Sequence, residues 1–106
     1  MRGESSPSAA VELGFGGFEV IVSVPGRFMG DLTRGSERWD VYLEMVHDAE
    51  LDATRGRVHF VSAAESRSTS WIFLEWKEAD VSARFADLSP LELWTFLESL
   101  GPAVPG

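Results

Sequence analysis

The chain reads as an α+β domain, a two-layer sandwich with a mostly antiparallel sheet and two helices in the order βαβββα. Three observations predict it. Short runs rich in β-branched and aromatic residues, punctuated by turn signals, recur at 17–24, 57–62, 71–77 and 80–86. The stretch LSPLELWTFLESLG near the C-terminus carries both start and stop signals of a helix. Between the first two strand runs lies WDVYLEMVHDAELDA, residues 39–53, whose composition favours a helix.

The first ten residues, MRGESSPSAA, have no apolar run after Arg2, so they read as a disordered leader rather than a signal peptide. The domain then spans 11–101, and PAVPG, 102–106, is a tail. In FEVIVSV, Phe18, Val20, Val22 and Val24 alternate with Glu19, Ile21 and Ser23 until Pro25 and Gly26 stop the strand. Residues 11–15 are a candidate extension of it, with Gly16 and Gly17 marking a bulge or bend. GRFMGDLTRGSE, 26–37, holds three glycines and mixed charge and reads as an exposed loop, longer than the usual connection of about 4–6 residues.

Residues 39–53 fit two templates. As a strand, Trp39, Val41, Leu43, Met45, Ala49, Leu51 and Ala53 share one face with His47, and the other face is acidic. As a helix, Asp40, Glu44, His47 and Asp48 form a stripe opposite Trp39, Tyr42, Met45, Val46 and Ala49. Fifteen residues is long for a strand, and only Val41 and Val46 are β-branched. Ser36 suits an N-cap, while Arg55 and Gly56 suit a cationic last turn and a stop. The helix is the reading adopted, despite repulsion among Asp40, Glu44, Asp48 and Asp52 at four-residue spacings. With the strand reading, the chain becomes a five-stranded antiparallel meander closed by one C-terminal helix.

RVHFVS, 57–62, follows as a short strand, and ESRSTS, 65–70, as a polar connection. WIFLEWK, 71–77, and DVSARFA, 80–86, read as a hairpin turning at Glu78 and Ala79. Ser89 then caps a helix with Pro90 in its first position, Glu92 completes a capping box, and Gly101 followed by Pro102 ends it.

Composition narrows function. The 106 residues allow one core, and 44% apolar with 11% aromatic content is enough to build it. A net charge of −8 argues against direct nucleic-acid binding, because phosphate neutralisation needs dense cationic patches. Without cysteine there are no disulfides, thiolate metal sites or thiol catalysis. No run of about 18 apolar residues exists to span a membrane, and the cytoplasm is the expected compartment. Eight arginines against one lysine suit a GC-rich, bacterial genome.

Local motifs fail their structural requirements. GFGGFEV has Glu19 where a dinucleotide fingerprint needs glycine, and a strand follows it instead of a helix. DAELDATRG from Asp48 has Ala53 and His59 at the two demanding positions of a calcium loop. Glu44 and His47 are spaced like half of a carboxylate-bridged metal site, but the second half is missing with only two histidines in the chain. No G-x-S-x-G elbow occurs, and no local spacing ties a serine to a histidine. The expectation is therefore a chain with no catalytic, cofactor or metal site.

Two features point to binding. WIFLEW is large on both faces, more than one buried sheet face accommodates. Its alternation assigns Ile72, Leu74 and Trp76 to the core and Trp71 and Phe73 to a contact surface. The segment 37–52 presents Glu37, Asp40, Glu44, Asp48, Glu50 and Asp52 against Arg38, a carboxylate array suited to a basic surface. The expected function is a non-enzymatic protein-interaction module of the bacterial immunity, inhibitor or accessory kind. Trp71 and Phe73 supply affinity, and Asp40, Glu44, Asp48 and Asp52 steer a basic partner. A homodimer through the aromatic surface is a further candidate. Other readings are a small-ligand domain with a pocket near Trp76, Trp94 and Phe96, or an acidic mimic of DNA.

Overall fold

A computed structural model describes the backbone of residues 8–15 and 18–101, and the side chains of residues 25–101. Within these limits the protein is an α+β fold: an antiparallel sheet of five strands with two helices on one face, and a separate two-stranded hairpin. The bend expected at Gly16 and Gly17, the tail 102–106 and most of the expected leader lie outside the described residues.

Strands β1 (Ser8–Phe15) and β2 (Phe18–Pro25) pair antiparallel from Ser8 opposite Pro25 to Phe15 opposite Phe18. The strand expected at 17–24 is therefore present over its described residues, 18–24, and residues 8–10 belong to β1 rather than to a leader. The chain leaves β2 through Gly26, φ 120°, where an added Cβ would lie 2.8 Å from the Leu43 carbonyl oxygen. Only glycine allows this close passage of one backbone over another.

Strand β3 (Arg27–Arg34) occupies the stretch expected to be a loop, and β4 (Glu37–Asp48) occupies the stretch expected to be a helix. The two form a hairpin in which Arg34 faces Glu37 across a two-residue turn, Gly35 and Ser36, with Gly35 at φ 62°. Gly-Ser is a recognised signal of such turns. Ser36 thus serves a hairpin, not a helix cap. A bulge at Met29 shifts the register between Phe28 and Gly30.

The strand alternation of 39–53 is what the fold uses. Trp39, Val41, Leu43 and Met45 point into the core at 3% exposure or less, while Asp40, Tyr42, Glu44 and Val46 point to the other face. A helix would have divided this apolar set between two sides. Pairing with neighbours on both edges outweighs the modest helix propensity of Glu44 and Met45.

Strand β5 (Ala53–Val61) returns antiparallel from Asp48 opposite Ala53, and is longer than the strand expected at 57–62. Its turn is held by Asp48 Oδ1, which accepts from the N–H groups of Glu50 and Leu51, with Asp52 at φ 51°. Two short strands share the far edge of β5: β6 (Ser66–Ser68) pairs with residues 59–61, and β7 (Phe73–Glu75) with residues 54–56.

Residues 80–86 are not a strand. Helix α1 (Glu78–Ala86) includes them and buries Val81 and Phe85, one turn apart. Glu78 and Asp80 stand in its first turn and Arg84 in its last, which suits the helix dipole. Val81, Ala83 and Phe85 fit a strand's period as well as Val81 and Phe85 fit a helix's, so the short run was ambiguous. Helix α2 (Pro90–Leu100) has the expected capping box: Glu92 N–H donates to Ser89 Oγ at 3.1 Å, and Ser89 N–H to Glu92 Oε1 at 2.8 Å. It buries Leu93, Trp94 and Leu97 and ends at Gly101, φ 64°.

The core lies between the helices and one sheet face. Val41, Leu43, Met45, Val58 and Phe60 meet Val81 and Phe85 from α1 and Leu93, Trp94 and Leu97 from α2. Trp94 carries the Arg34 guanidinium 4.0 Å from its ring centroid, and Arg67 lies 4.9 Å from that of Trp39. These cations cover ring faces at the rim of the core. The two helices leave the opposite face of the sheet uncovered by either of them.

Candidate functional site

Registers fix what that opposite face presents. Phe28, Tyr42, His59 and Ser68 form one row across the sheet; Glu44 and Arg57 form the next; Val46, Arg55 and Leu74 the third; Asp48 and Ala53 the last. The first row is polar at one end and aromatic at the other, with Phe28 edge-on to Tyr42 at 5.5 Å between centroids. Desolvation, followed by the nearby Asp40 charge, raises the Tyr42 pKa above its ordinary value.

The carboxylates expected on an acidic helix lie on this face and its border, and most are already engaged. Asp40 and Asp31 flank Arg38, with contacts of 3.4 and 3.3 Å. Glu44 Oε1 accepts from Arg57 Nε at 2.8 Å, and Asp48 Oδ2 from Arg55 Nε at 2.9 Å. Asp52, in the β4–β5 turn, stays 90% exposed, 3.6 Å from His47 Nε2. Burial pushes Glu44 up, but the hydrogen bonds and charges of Arg57 and His59 outweigh it and hold its pKa below the ordinary carboxylate value. Hydrogen bonding from Arg55 is the main cause lowering Asp48, joined by the Leu51 and Glu50 amides.

The aromatic segment is placed differently from its expected alternation. Phe73 faces inward, opposite Gly56, and packs against the core. Ile72, Leu74 and Trp76, expected in the core, are 37%, 51% and 73% exposed. Trp71, as expected, is at the surface, with Arg57 stacked 4.4 Å from its ring centroid. It escapes the alternation because residues 71 and 72 precede β7 and are not in a strand. Leu51 and Val46 extend this apolar area, and Leu51, Ala53, Leu74, Glu75 and Trp76 line a shallow groove of ≈ 340 Å³. Of the expected contact pair, Trp71 alone joins the acidic residues on this side. Of the residues expected around a ligand pocket, Trp94 is buried, Trp76 lines the groove with Leu51 and Leu74, and Phe96 lines a different one with Leu88, Glu92 and Thr95.

One cluster had no local signal in the sequence. His59, 5% exposed, has Nδ1 2.6 Å from Ser68 Oγ and Nε2 2.8 Å from Glu44 Oε1. Three strands bring the groups together, and the sequence separations of 9 and 15 residues follow from pairing alone. Among the described residues there is no group of three or more His, Asp or Glu arranged to hold a metal, and no helix is long and apolar enough to cross a membrane. No family model, curated protein or solved structure matches the chain.

Proposed function

We propose that the chain is a protein-interaction module that docks a partner on the sheet face opposite its helices, and that it works in the cytoplasm. The observation that carries this reading is the exposed apolar group of Leu51, Leu74 and Trp76 around one shallow groove. Val46 stands in the same cross-strand row as Leu74, and Trp71 is exposed just ahead of β7. Tryptophan with large aliphatic neighbours is the composition of interface anchors, and a monomer gains nothing from wetting it.

Charge supports a partner with a basic surface. The chain carries −8 overall, which steers a cationic protein over long range. At short range the arginines of β5 neutralise Glu44 and Asp48, so the contact itself is apolar with a polar border. Because those carboxylates are paired, mimicry of a phosphate backbone is not part of the proposal.

The test compares the wild type with Leu74→Ser/Trp76→Ser in pull-downs from the native cell extract, together with thermal melts. The expected result is an unchanged melt with loss of a specifically retained protein, each anchor contributing about 2 kcal/mol or more. Identical capture by both proteins, or a large fall in Tm, overturns the reading.

A further inference from the structure

We propose that Ser68 is an activated nucleophile, able to take up an acyl group from small esters with apolar acyl or aryl parts. This goes beyond docking and rests on a different observation, the Glu44, His59 and Ser68 cluster, which Trp71 borders. The expectation of a non-enzymatic chain rested partly on no serine being tied to a histidine, and the sheet provides that tie.

Nucleophile, base and a third group that orients the base are all within hydrogen-bond reach here: Ser68 Oγ to His59 Nδ1 at 2.6 Å, and His59 Nε2 to Glu44 Oε1 at 2.8 Å. That constellation is the signature of an activated hydroxyl, whichever ring nitrogen faces it. The tautomer follows from the partners. An ionised carboxylate only accepts, so in the neutral imidazole Nε2 carries the proton and donates to Glu44. Nδ1 is then the acceptor, and the Ser68 hydroxyl must donate to it. Arg57 Nε donates to the same Glu44 oxygen at 2.8 Å, which restrains the carboxylate beside the ring. His59 is buried while Ser68 is exposed, which protects the base and leaves the nucleophile reachable.

The strand geometry supplies more. Thr69 N–H donates to the Val58 carbonyl, so residues 58 and 69 form a hydrogen-bonded pair. The next pair, His59 opposite Ser68, is therefore of the non-bonded kind. The Ser68 N–H consequently points away from β5, off the terminal strand of the sheet, where it is placed to donate to a developing oxyanion. Trp71, exposed and stacked on the Arg57 that also holds Glu44, offers an apolar surface for the acyl or aryl part.

In the step, Ser68 Oγ attacks the ester carbonyl carbon and its proton passes to His59 Nδ1. The tetrahedral adduct collapses, the ester's alcohol leaves with that proton, and the acyl group stays on Ser68. Water, deprotonated by the same nitrogen, then releases the acid and restores the hydroxyl. His59 touches the reacting proton, whereas Glu44 is a positioning residue.

Ser66 and Ser70 are exposed neighbours that serve as internal controls. The full chain is treated with a fluorophosphonate probe, and separately with p-nitrophenyl acetate, and the modified serines are mapped by mass spectrometry. The expected result is labelling of Ser68 at least about tenfold faster than that of Ser66 or Ser70, abolished by Ser68→Ala. Glu44→Gln should slow Ser68 labelling while leaving Ser66 and Ser70 unchanged, which a purely structural role for Glu44 would not do. Absent labelling, or equal labelling of all three serines in the wild type, overturns the proposal without touching the docking face.

Discussion

Gly56→Ala is the sharpest probe of how α1 sits on the sheet. In a strand, replacing glycine by alanine ordinarily stabilises by about 0.4–1 kcal/mol, because the unfolded chain loses freedom. Here the new methyl has no room. An ideal Cβ at position 56 falls 2.6 Å from Val81 Cγ1, and 3.3 Å from Phe73 Cβ and Cδ2. Val81 is fully buried on α1 and β-branched, so its rotamer gives little and the helix itself must shift. Overpacking of this kind costs about 1–3 kcal/mol. A contact so far inside van der Waals range belongs to the upper part of that span, which leaves a net loss of about 1–2 kcal/mol after the entropic gain. For a domain of this size each kcal/mol lowers Tm by about 4–8 °C.

Urea unfolding followed by tryptophan fluorescence measures it, as a lower midpoint with unchanged slope. The double variant Gly56→Ala/Val81→Ala supplies the control. Removing the Val81 γ-carbons frees the space the new methyl needs, so the two changes together should cost less than the sum of the single ones. Equal or greater stability of Gly56→Ala, with additive effects in the pair, would refute the packing of α1 over β5. It would also reopen the hairpin reading of residues 80–86.

Three further outcomes follow from the same structure. Ser89→Ala should cost about 1 kcal/mol through the lost cap of α2, and Trp94→Ala about 3–5 kcal/mol from the core, both read from chemical denaturation. Because the folded-state pKa of Glu44 lies below the ordinary 4.5, its pairing with Arg57 and His59 stabilises the fold fully above that value. The contribution is lost as pH falls through the lower folded value. The stability difference between the wild type and Glu44→Gln should therefore shrink on acidification below about pH 4.5, which melts across pH will show. Backbone chemical shifts of residues 39–47 should be strand-type throughout, and helix-type shifts there would remove β4.

The sequence alone was enough for the class of fold, the strand across Phe18 to Val24 and the whole of α2. These share a cause. The α2 signals lie within a few residues of one another: Ser89, Pro90 and Glu92 satisfy the first turn, and Gly101 closes the last. No distant partner is needed to interpret them. Trp71 at the surface and the strand option for 39–53, with its apolar odd positions, were also legible.

The rest was decided by pairing between distant residues. Arg27–Arg34 has little local strand character and becomes β3 because β4 lies beside it, with Leu32 set against Trp39. The helix propensity of Glu44, Met45 and Ala49 amounts to a few tenths of a kcal/mol per residue. Burying Trp39, Val41, Leu43 and Met45 on one face is worth about 1.5–3 kcal/mol for each fully buried aliphatic chain, and only the extended chain achieves it. The faces of 71–76 depended on where β7 begins, a property of its register with β5 rather than of its own alternation. The acidic array became a set of ion pairs because Arg55 and Arg57 stand opposite Val46 and Glu44. Glu44, His59 and Ser68 came together for the same reason: a side-chain cluster built across strands has no spacing of its own in the chain, and exists only once the register is set.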